Sequence, residues 1–216
     1  MAITAQHFQH THFNADDLTQ PIFRDCHFTQ CHFDGLDLSD FQFIRCHFYD
    51  KDTETGCSFK RAKLTDARFI ECDLSFTDFS YIDAFGIVIQ QCRALGTNFS
   101  RASMSNQITV KSYFCSAEIT GNLFSYANFS GVILEKCQLQ DNRWQGGSFR
   151  GASFAGSDLS RGEFSEFEWH EVNIRECDFT DAQLSGLDIR TVDVSGITIA
   201  QWQQHMLLDT LGICVV

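Results

Sequence analysis

No stretch of this chain approaches the run of about 18 to 20 consecutive apolar residues that a membrane span requires. The opening segment, residues 1–12, is polar and aromatic, with neither a charged start nor an apolar signal core, so a cytoplasmic location is expected. Basic residues are scarce: 16 Lys and Arg face 28 Asp and Glu, for a net charge of −12. A nucleic-acid binder needs basic patches to displace counterions, so direct nucleic-acid binding is not expected. An acidic surface fits solubility and also fits a basic protein partner. The 10 Cys include no paired C-x-x-C, the spacing by which zinc ligands converge, so no metal is expected. Proline is almost missing, at 1 residue, while Phe reaches 22 in 216.

Those Phe are not scattered. Large apolar residues fall at every fifth position through Phe8, Phe13, Leu18, Phe23, Phe28, Phe33, Leu38, Phe43 and Phe48. The period resumes at Phe59, Leu64, Phe69, Leu74 and Phe79, and again from Phe114 and Ile119 to Leu159 and Val194. Neither a helix nor a flat strand has a period of five. Two residues before each large one sits a small side chain: Cys26, Cys31, Cys46, Cys57, Cys72, Cys92, Cys137 and Cys177, or Ala at equivalent places such as Ala62 and Ala152. Residues two apart on an extended segment face the same way, so small and large share one interior. Cys72, Cys92, Phe114 and Leu159 are therefore expected in the core. The cysteines read as small hydrophobes.

The pattern, in segments such as Ala152-Ser153-Phe154 and Ser157-Asp158-Leu159-Ser160-Arg161, resembles the pentapeptide-repeat family. That resemblance implies an all-β fold, a right-handed quadrilateral β-helix with four five-residue sides per coil. A twenty-residue echo, His7, His27 and His47, agrees with four sides. Each side alone buries nothing; stacked coils pair their backbones and build one continuous apolar column. At about 4.8 Å per coil the rod is roughly 45 Å long.

Two segments break the period inside an otherwise single domain expected over residues 1–198. Tyr49 to Gly56 reads as a short projecting loop, because Lys51, Thr53 and Gly56 cannot be core. Ala102 to Tyr113 reads as a longer one, with Gln107 and Thr109 on interior registers. Loops on a rigid scaffold concentrate binding function. The candidate partner-binding residues are therefore Lys51, Asp52, Thr53, Glu54 and Gly56 in the first loop. In the second they are Ser103, Met104, Ser105, Asn106, Gln107, Ile108, Thr109 and Val110, where Met104, Ile108 and Val110 have no core to enter. The tail, residues 199–216, has helical spacing and is expected to cap the open end and to dimerise the rod through Trp202, Met206, Leu208 and Leu211.

Catalytic constellations are wanting: a filled solenoid has no pocket in which a nucleophile meets a base, so neither enzymatic activity nor a cofactor is expected. The run Gly146, Gly147, Gly151, Gly156 and Gly162 follows the turn period and lacks the Lys-Ser/Thr ending of a phosphate loop. The carboxylates carry the surface message. They sit one before the large residue (Asp17, Asp37, Asp73, Asp158) or two after it (Asp25, Asp40, Asp66, Asp181), outside a narrow rod. B-DNA carries one charge per about 1.7 Å. A net −12 over roughly 45 Å is one per about 4 Å, so mimicry by charge alone is weak and specificity falls to the loops.

A closer resemblance is to the Qnr branch of the family, carried by Phe114-Cys115-Ser116-Ala117, Tyr126-Ala127-Asn128-Phe129-Ser130, Leu134-Glu135-Lys136-Cys137, Asn142-Arg143-Trp144 and Leu187-Asp188-Ile189-Arg190. It implies a dimeric DNA-mimicking rod that binds DNA gyrase and topoisomerase IV and protects them from quinolones. It also implies that Gly56, Cys72 and Cys92 match positions whose disruption abolishes protection. The competing reading is a non-enzymatic interaction scaffold with an unrelated protein partner.

Overall fold

The structure is a computed structural model that describes residues 2–109 and 112–213. Its chain winds as a solenoid of four short sides per coil, which we number as first to fourth face in chain order. The first face is the longest sheet, six parallel strands: Ile3–Thr4, Ile22–Arg24, Gln42–Ile44, Arg68–Ile70, Ile87–Gln90 and Ala117–Thr120. The other faces stack through parallel bridges at the same step, such as His12↔His32, Asp78↔Asn98 and Ser153↔Asn173. Backbone groups are satisfied coil to coil: Phe28 N donates to His47 O at 2.8 Å and His47 N to Cys26 O at 2.9 Å. A lone five-residue side has no such partners, so no coil is stable without its neighbours.

Each coil turns at a corner residue two after the large one, and that residue adopts the left-handed region. Asp25, Arg45, Glu71, Arg101 and Asp181 all have φ between 51° and 60°. This geometry is neutral for glycine and costs other residues about 1 kcal/mol or more, which is why glycine recurs there at Gly35, Gly131 and Gly151.

Inside, the large residues stack in columns. The third face carries an unbroken ladder of Phe13, Phe33, Phe59, Phe79, Phe99, Phe129 and Phe149, with ring centroids 4.5 to 5.6 Å apart and planes within 17°. Rings of neighbouring faces meet edge-on, as Phe28 meets Phe33 at 5.5 Å. Offset stacking along a column and edge contacts across it are both favourable arrangements of the aromatic quadrupole. Cys72, Cys92 and Leu159 are buried among them.

The residues two before the large ones do more than leave room. On the second face the Cys46 amide points at Cys72 Sγ (3.4 Å) and the Cys72 amide at Cys92 Sγ (3.3 Å). Each Sγ in turn donates to a carbonyl of the preceding coil, Cys72 to Phe43 O and Cys92 to Phe69 O. The ladder then changes chemistry without changing geometry. Cys92 N donates to Asn122 Oδ1 and Asn122 N to Asn142 Oδ1, both at 2.8 Å. Asn142 Nδ2 closes the chain on the Ile119 and Leu139 carbonyls. Asn122 and Asn142 are fully buried, and their polarity is matched bond for bond. Burial pushes the Cys137 and Cys177 thiols up to about 12, so they are thiols and not thiolates at neutral pH. Among the described residues no cluster of three or more metal-ligating side chains occurs, and the nine described cysteines are free.

The other end of the rod is closed by the tail. A 3-10 turn, Gln201–Gln203, leads into a helix of only six residues, Gln204–Asp209, shorter than its apolar spacing predicts. Gln203 is fully buried. Its Nε2 donates to the Phe179 and Ala182 carbonyls and its Oε1 accepts from Asp181 N, standing in for the coil that does not follow.

Two outcomes follow. Asn142→Leu removes the acceptor of a buried amide and the donor to two buried carbonyls, a class of loss that costs about 1 to 3 kcal/mol; an unchanged thermal melt contradicts the ladder. The second concerns the outward histidines of the first coils. His27 and His47 stack at 4.6 Å, and His7 meets His27 at 6.1 Å. Burial, then the neighbouring His47 and His7, lower the His27 pKa. A depressed folded-state pKa means stability is fully present above the unfolded value and is lost as pH falls through it toward the folded one. The melting temperature should therefore drop between about pH 7.5 and 5.5, and drop less in His27→Asn.

Candidate interaction surface

Both breaks in the repeat are antiparallel hairpins, and both leave the coil path intact. Paired residues are 20 apart in regular coils, 26 apart across the first hairpin and 30 across the second. The aromatic ladder passes both unchanged: Phe33 stacks on Phe59 at 4.5 Å and Phe99 on Phe129 at 4.9 Å. The first hairpin leaves the corner between second and third faces, and the second leaves the diagonally opposite corner, between fourth and first.

In the first, Tyr49–Asp50 pairs with Thr55–Gly56. Asp50 braces it, accepting from Gln30 Nε2 at 3.0 Å, Thr53 Oγ1 at 2.7 Å and Asp52 N at 3.0 Å. The Thr53 bond and then the Gln30 bond hold the Asp50 carboxyl below its ordinary pKa. Lys51, Asp52, Thr53 and Glu54 are exposed at the tip. Gly56 is sterically required: a Cβ there would lie 2.2 Å from the Phe76 carbonyl carbon, and Phe76 is the ring on which Tyr49 leans at 5.6 Å.

The second hairpin pairs Ser105–Thr109 with Ser112–Cys115, with an irregularity between Gln107 and Thr109. Ser105 is half-buried, Asn106, Gln107 and Thr109 are exposed, and Ile108 is 65% exposed. Val110 lies outside the described residues. The base is tied down by Tyr113, whose hydroxyl donates to Glu135 at 3.0 Å, and by Phe114 edge-on to Phe85 at 5.0 Å.

Two expectations are corrected here. Met104 is not a loop residue: it is fully buried, as the large residue of the fourth face five after Phe99. Ala102 is buried and Ser103 bridges Asp83 and Ile133 within the coil, so the projection begins at Ser105. Conversely Phe114 is not core; it is 45% exposed on the hairpin's return strand.

Seven of the carboxylates one before the large residue share a bond that fixes them. Asp37, Asp73, Asp78, Asp158, Asp178, Asp188 and Asp193 each accept the amide of the residue two further on. Asn98 and Asn128 do the same, which explains their sequon-like Asn-Phe-Ser segments as turn chemistry. The Arg190 guanidinium bonded to Asp188 holds its carboxyl down at about 2, and the Arg45 and Arg161 guanidinia depress Asp25 and Asp141 in the same way. The charge is unevenly spread. The fourth face carries Asp17, Asp37, Asp83, Glu135 and Asp193 against Lys63 and Arg175, and its far corner Asp40, Asp66 and Glu176 against Lys136. On the second face Asp73 stands beside Arg93 and Glu163 beside Arg143, so the charges balance.

The chain's likenesses match this architecture. The family profiles "Pentapeptide repeat region" and "Pentapeptide repeats (8 copies)" match residues 21–99 and 97–135. Over 98 residues the chain is 55% identical to the pentapeptide repeat protein QnrB4 of Escherichia coli, covering 45% of this chain and 46% of that one. Over 139 residues it is 43% identical to the quinolone resistance pentapeptide repeat protein QnrB96 of Scandinavium goeteborgense, covering 64% and 56%. The matched stretch thus spans about half the length of these curated relatives. The solved structure of full-length QnrB1, a plasmid-mediated fluoroquinolone resistance protein, superposes with a TM-score of 0.95 at 45% identity, covering 99% of this chain and 100% of that one.

Proposed function

We propose a function that proceeds from one fact: the chain belongs to the pentapeptide-repeat family. It is a DNA-mimicking protein that binds bacterial DNA gyrase and topoisomerase IV and protects them from quinolones. The observation that carries this reading is the end-to-end likeness to QnrB1, a fluoroquinolone resistance protein. It acts by binding and without catalysis, in the cytoplasm, where those enzymes work.

Three features support a division of labour along the rod. The fourth face and its far corner hold the densest carboxylates, with Asp37 and Asp193 pinned by turn bonds, and they suit the basic surface on which the topoisomerase grips duplex DNA. The second hairpin leaves that same corner and offers Ile108 beside Asn106 and Gln107, an apolar contact that charge cannot supply. The first hairpin, braced by Asp50 and seated by Gly56, projects from the opposite corner and engages a second surface of the same partner. Beyond the cap formed by Gln203, the tail leaves Trp202 and Leu211 exposed with Met206 and Leu208 half-buried beside them. A two-fold contact places that patch on both partners, and we assign it to a homodimer.

The decisive assay is gyrase supercoiling under ciprofloxacin over a range of this protein's concentration. Supercoiling should persist at drug levels that abolish it without the protein; no rescue overturns the proposal. Deleting residues 106–115 joins Ser105 to Ser116 and restores the twenty-residue coil, so the thermal melt should hold while most protection disappears. Added salt should weaken the charge-borne part of binding and spare the apolar hairpin contact. For assembly, Trp202→Ser with Leu211→Ser should convert dimers to monomers in light scattering without loss of the solenoid melt, and a monomeric parent chain sinks the dimer.

A further inference from the structure

One corner of the rod contradicts its overall charge. Between the third and fourth faces, successive coils place Arg61, Tyr81 and Arg101 one above another. Each guanidinium carbon lies 5.9 Å from the Tyr81 ring centroid, one from the coil before and one from the coil after. The same corner is bare on both sides of this block: Gly35 precedes it and Gly131 and Gly151 follow, each with open space where a Cβ would stand. The block is therefore a ridge, and beyond Arg101 it drops into a notch of about 350 Å³ floored by Gly131 and walled by Ser103 and the exposed Ile133.

Neither arginine is neutralised by the chain itself. Elsewhere Arg45, Lys63, Arg143, Arg150, Arg161, Arg175 and Arg190 are each ion-paired to a carboxylate of this chain. Among the described residues Arg61 and Arg101, like Arg24, Arg68 and Arg93, have no such partner, and of these only Arg61 and Arg101 are held over an aromatic ring. Both faces of Tyr81 are taken by the guanidinia, so no nucleobase can stack there, and the rod's net charge of −12 opposes a phosphodiester backbone. What remains open are two guanidinium forks, two coil steps or roughly 10 Å apart, an aromatic edge and Ile133. Guanidinium forks match carboxylates bidentately.

We infer that the Arg61–Tyr81–Arg101 ridge is a docking site for an acidic segment of the topoisomerase partner, carrying two carboxylates about 10 Å apart beside an apolar side chain. Three residues of a polyproline II segment span about that distance and bring the first and fourth side chains to one face. The inference rests on the proposed partner and adds to it a contact of opposite sign. The fourth face lies between the two elements, with this ridge along one edge and the second hairpin leaving the other. A partner that presents a basic groove rimmed by acid satisfies both, and duplex DNA, which has no positive ridge, cannot.

The test separates this contact from bulk charge. Full-length protein, Arg61→Gln/Arg101→Gln, and the control Arg24→Gln/Arg68→Gln are compared for binding to gyrase and topoisomerase IV holoenzymes at one salt concentration. Both double variants make the rod equally more acidic. The ridge variant should bind about tenfold more weakly, while the control binds as well or better. Equal or tighter binding by the ridge variant overturns the inference. In parallel, a hexapeptide with glutamates at its second and fifth positions is titrated against the protein alone, following the Tyr81 ring resonances by NMR. Shifts in the parent that vanish in the ridge variant are expected. No shift, or a shift with a short DNA duplex in place of the peptide, overturns the acidic-segment assignment. If the parent binds neither holoenzyme, the proposed function falls, and the peptide titration alone decides whether the ridge recognises carboxylates.

Discussion

Everything in this molecule depends on one requirement, that the backbone amides and carbonyls of each coil find partners in the next. A five-residue side is too short to pair with itself or to bury a ring, so register between coils is the only source of order. Once Phe28 N meets His47 O and His47 N meets Cys26 O, the large side chains are forced into columns at the spacing of the coils. That spacing is the favourable distance for stacked aromatic rings. The abundance of Phe is thus a consequence of backbone register: an aromatic ring fills the column and repeats at the distance the hydrogen bonds dictate.

The same register explains the smaller interior residues. Cys46, Cys72, Cys92, Asn122 and Asn142 form one ladder in which each side chain accepts an amide from the coil before it. A thiol and a carboxamide are interchangeable there because both present an acceptor and a donor within a small volume, and alanine serves where the amide has another partner. Cys at these positions is a weak hydrogen-bonding hydrophobe. The mechanism gives overpacking substitutions such as Cys72→Tyr two penalties, steric strain of about 1 to 3 kcal/mol and loss of the amide acceptor.

How much of this was legible in the sequence follows from arithmetic on the repeat. Period five announces the columns, the corners and the outward carboxylates directly. The first hairpin was legible because it adds six residues to a coil and throws the phase out of step; its edges, near Tyr49 and Gly56, were readable. The second adds ten, a multiple of five, so the phase survives across it. Counting back from Ile119 therefore lands on Phe114, an exposed hairpin residue, and the loss of pattern after Ala102 hides the last true core residue, Met104. Asn122 and Asn142 were only half legible: they stand on the interior register, two before Phe124 and Trp144, but only the cross-coil bonds reveal how a buried carboxamide is satisfied there. The ridge of Arg61, Tyr81 and Arg101 lies on the repeat, but its meaning depends on which carboxylates are out of reach, a property of three dimensions.

The fixed frame also changes what charge can do. On a flexible surface, carboxylates adapt to whatever cation approaches. Here Asp37, Asp158 and Asp193 are pinned by amides two residues on, and on any one face such positions are separated along the axis by whole multiples of the coil repeat of about 4.8 Å. Net charge per unit length remains below half that of duplex DNA, so a rigid spacing must compensate for a weak field, and long-range attraction alone will not select one basic groove over another. Selection has to come from contacts that duplex DNA lacks. The molecule concentrates such contacts along two edges of its most acidic face: an apolar hairpin on one and an unneutralised arginine pair on the other. In the proposed function, the acidic face brings the rod to a DNA-binding surface, and the two edges determine on which it stays.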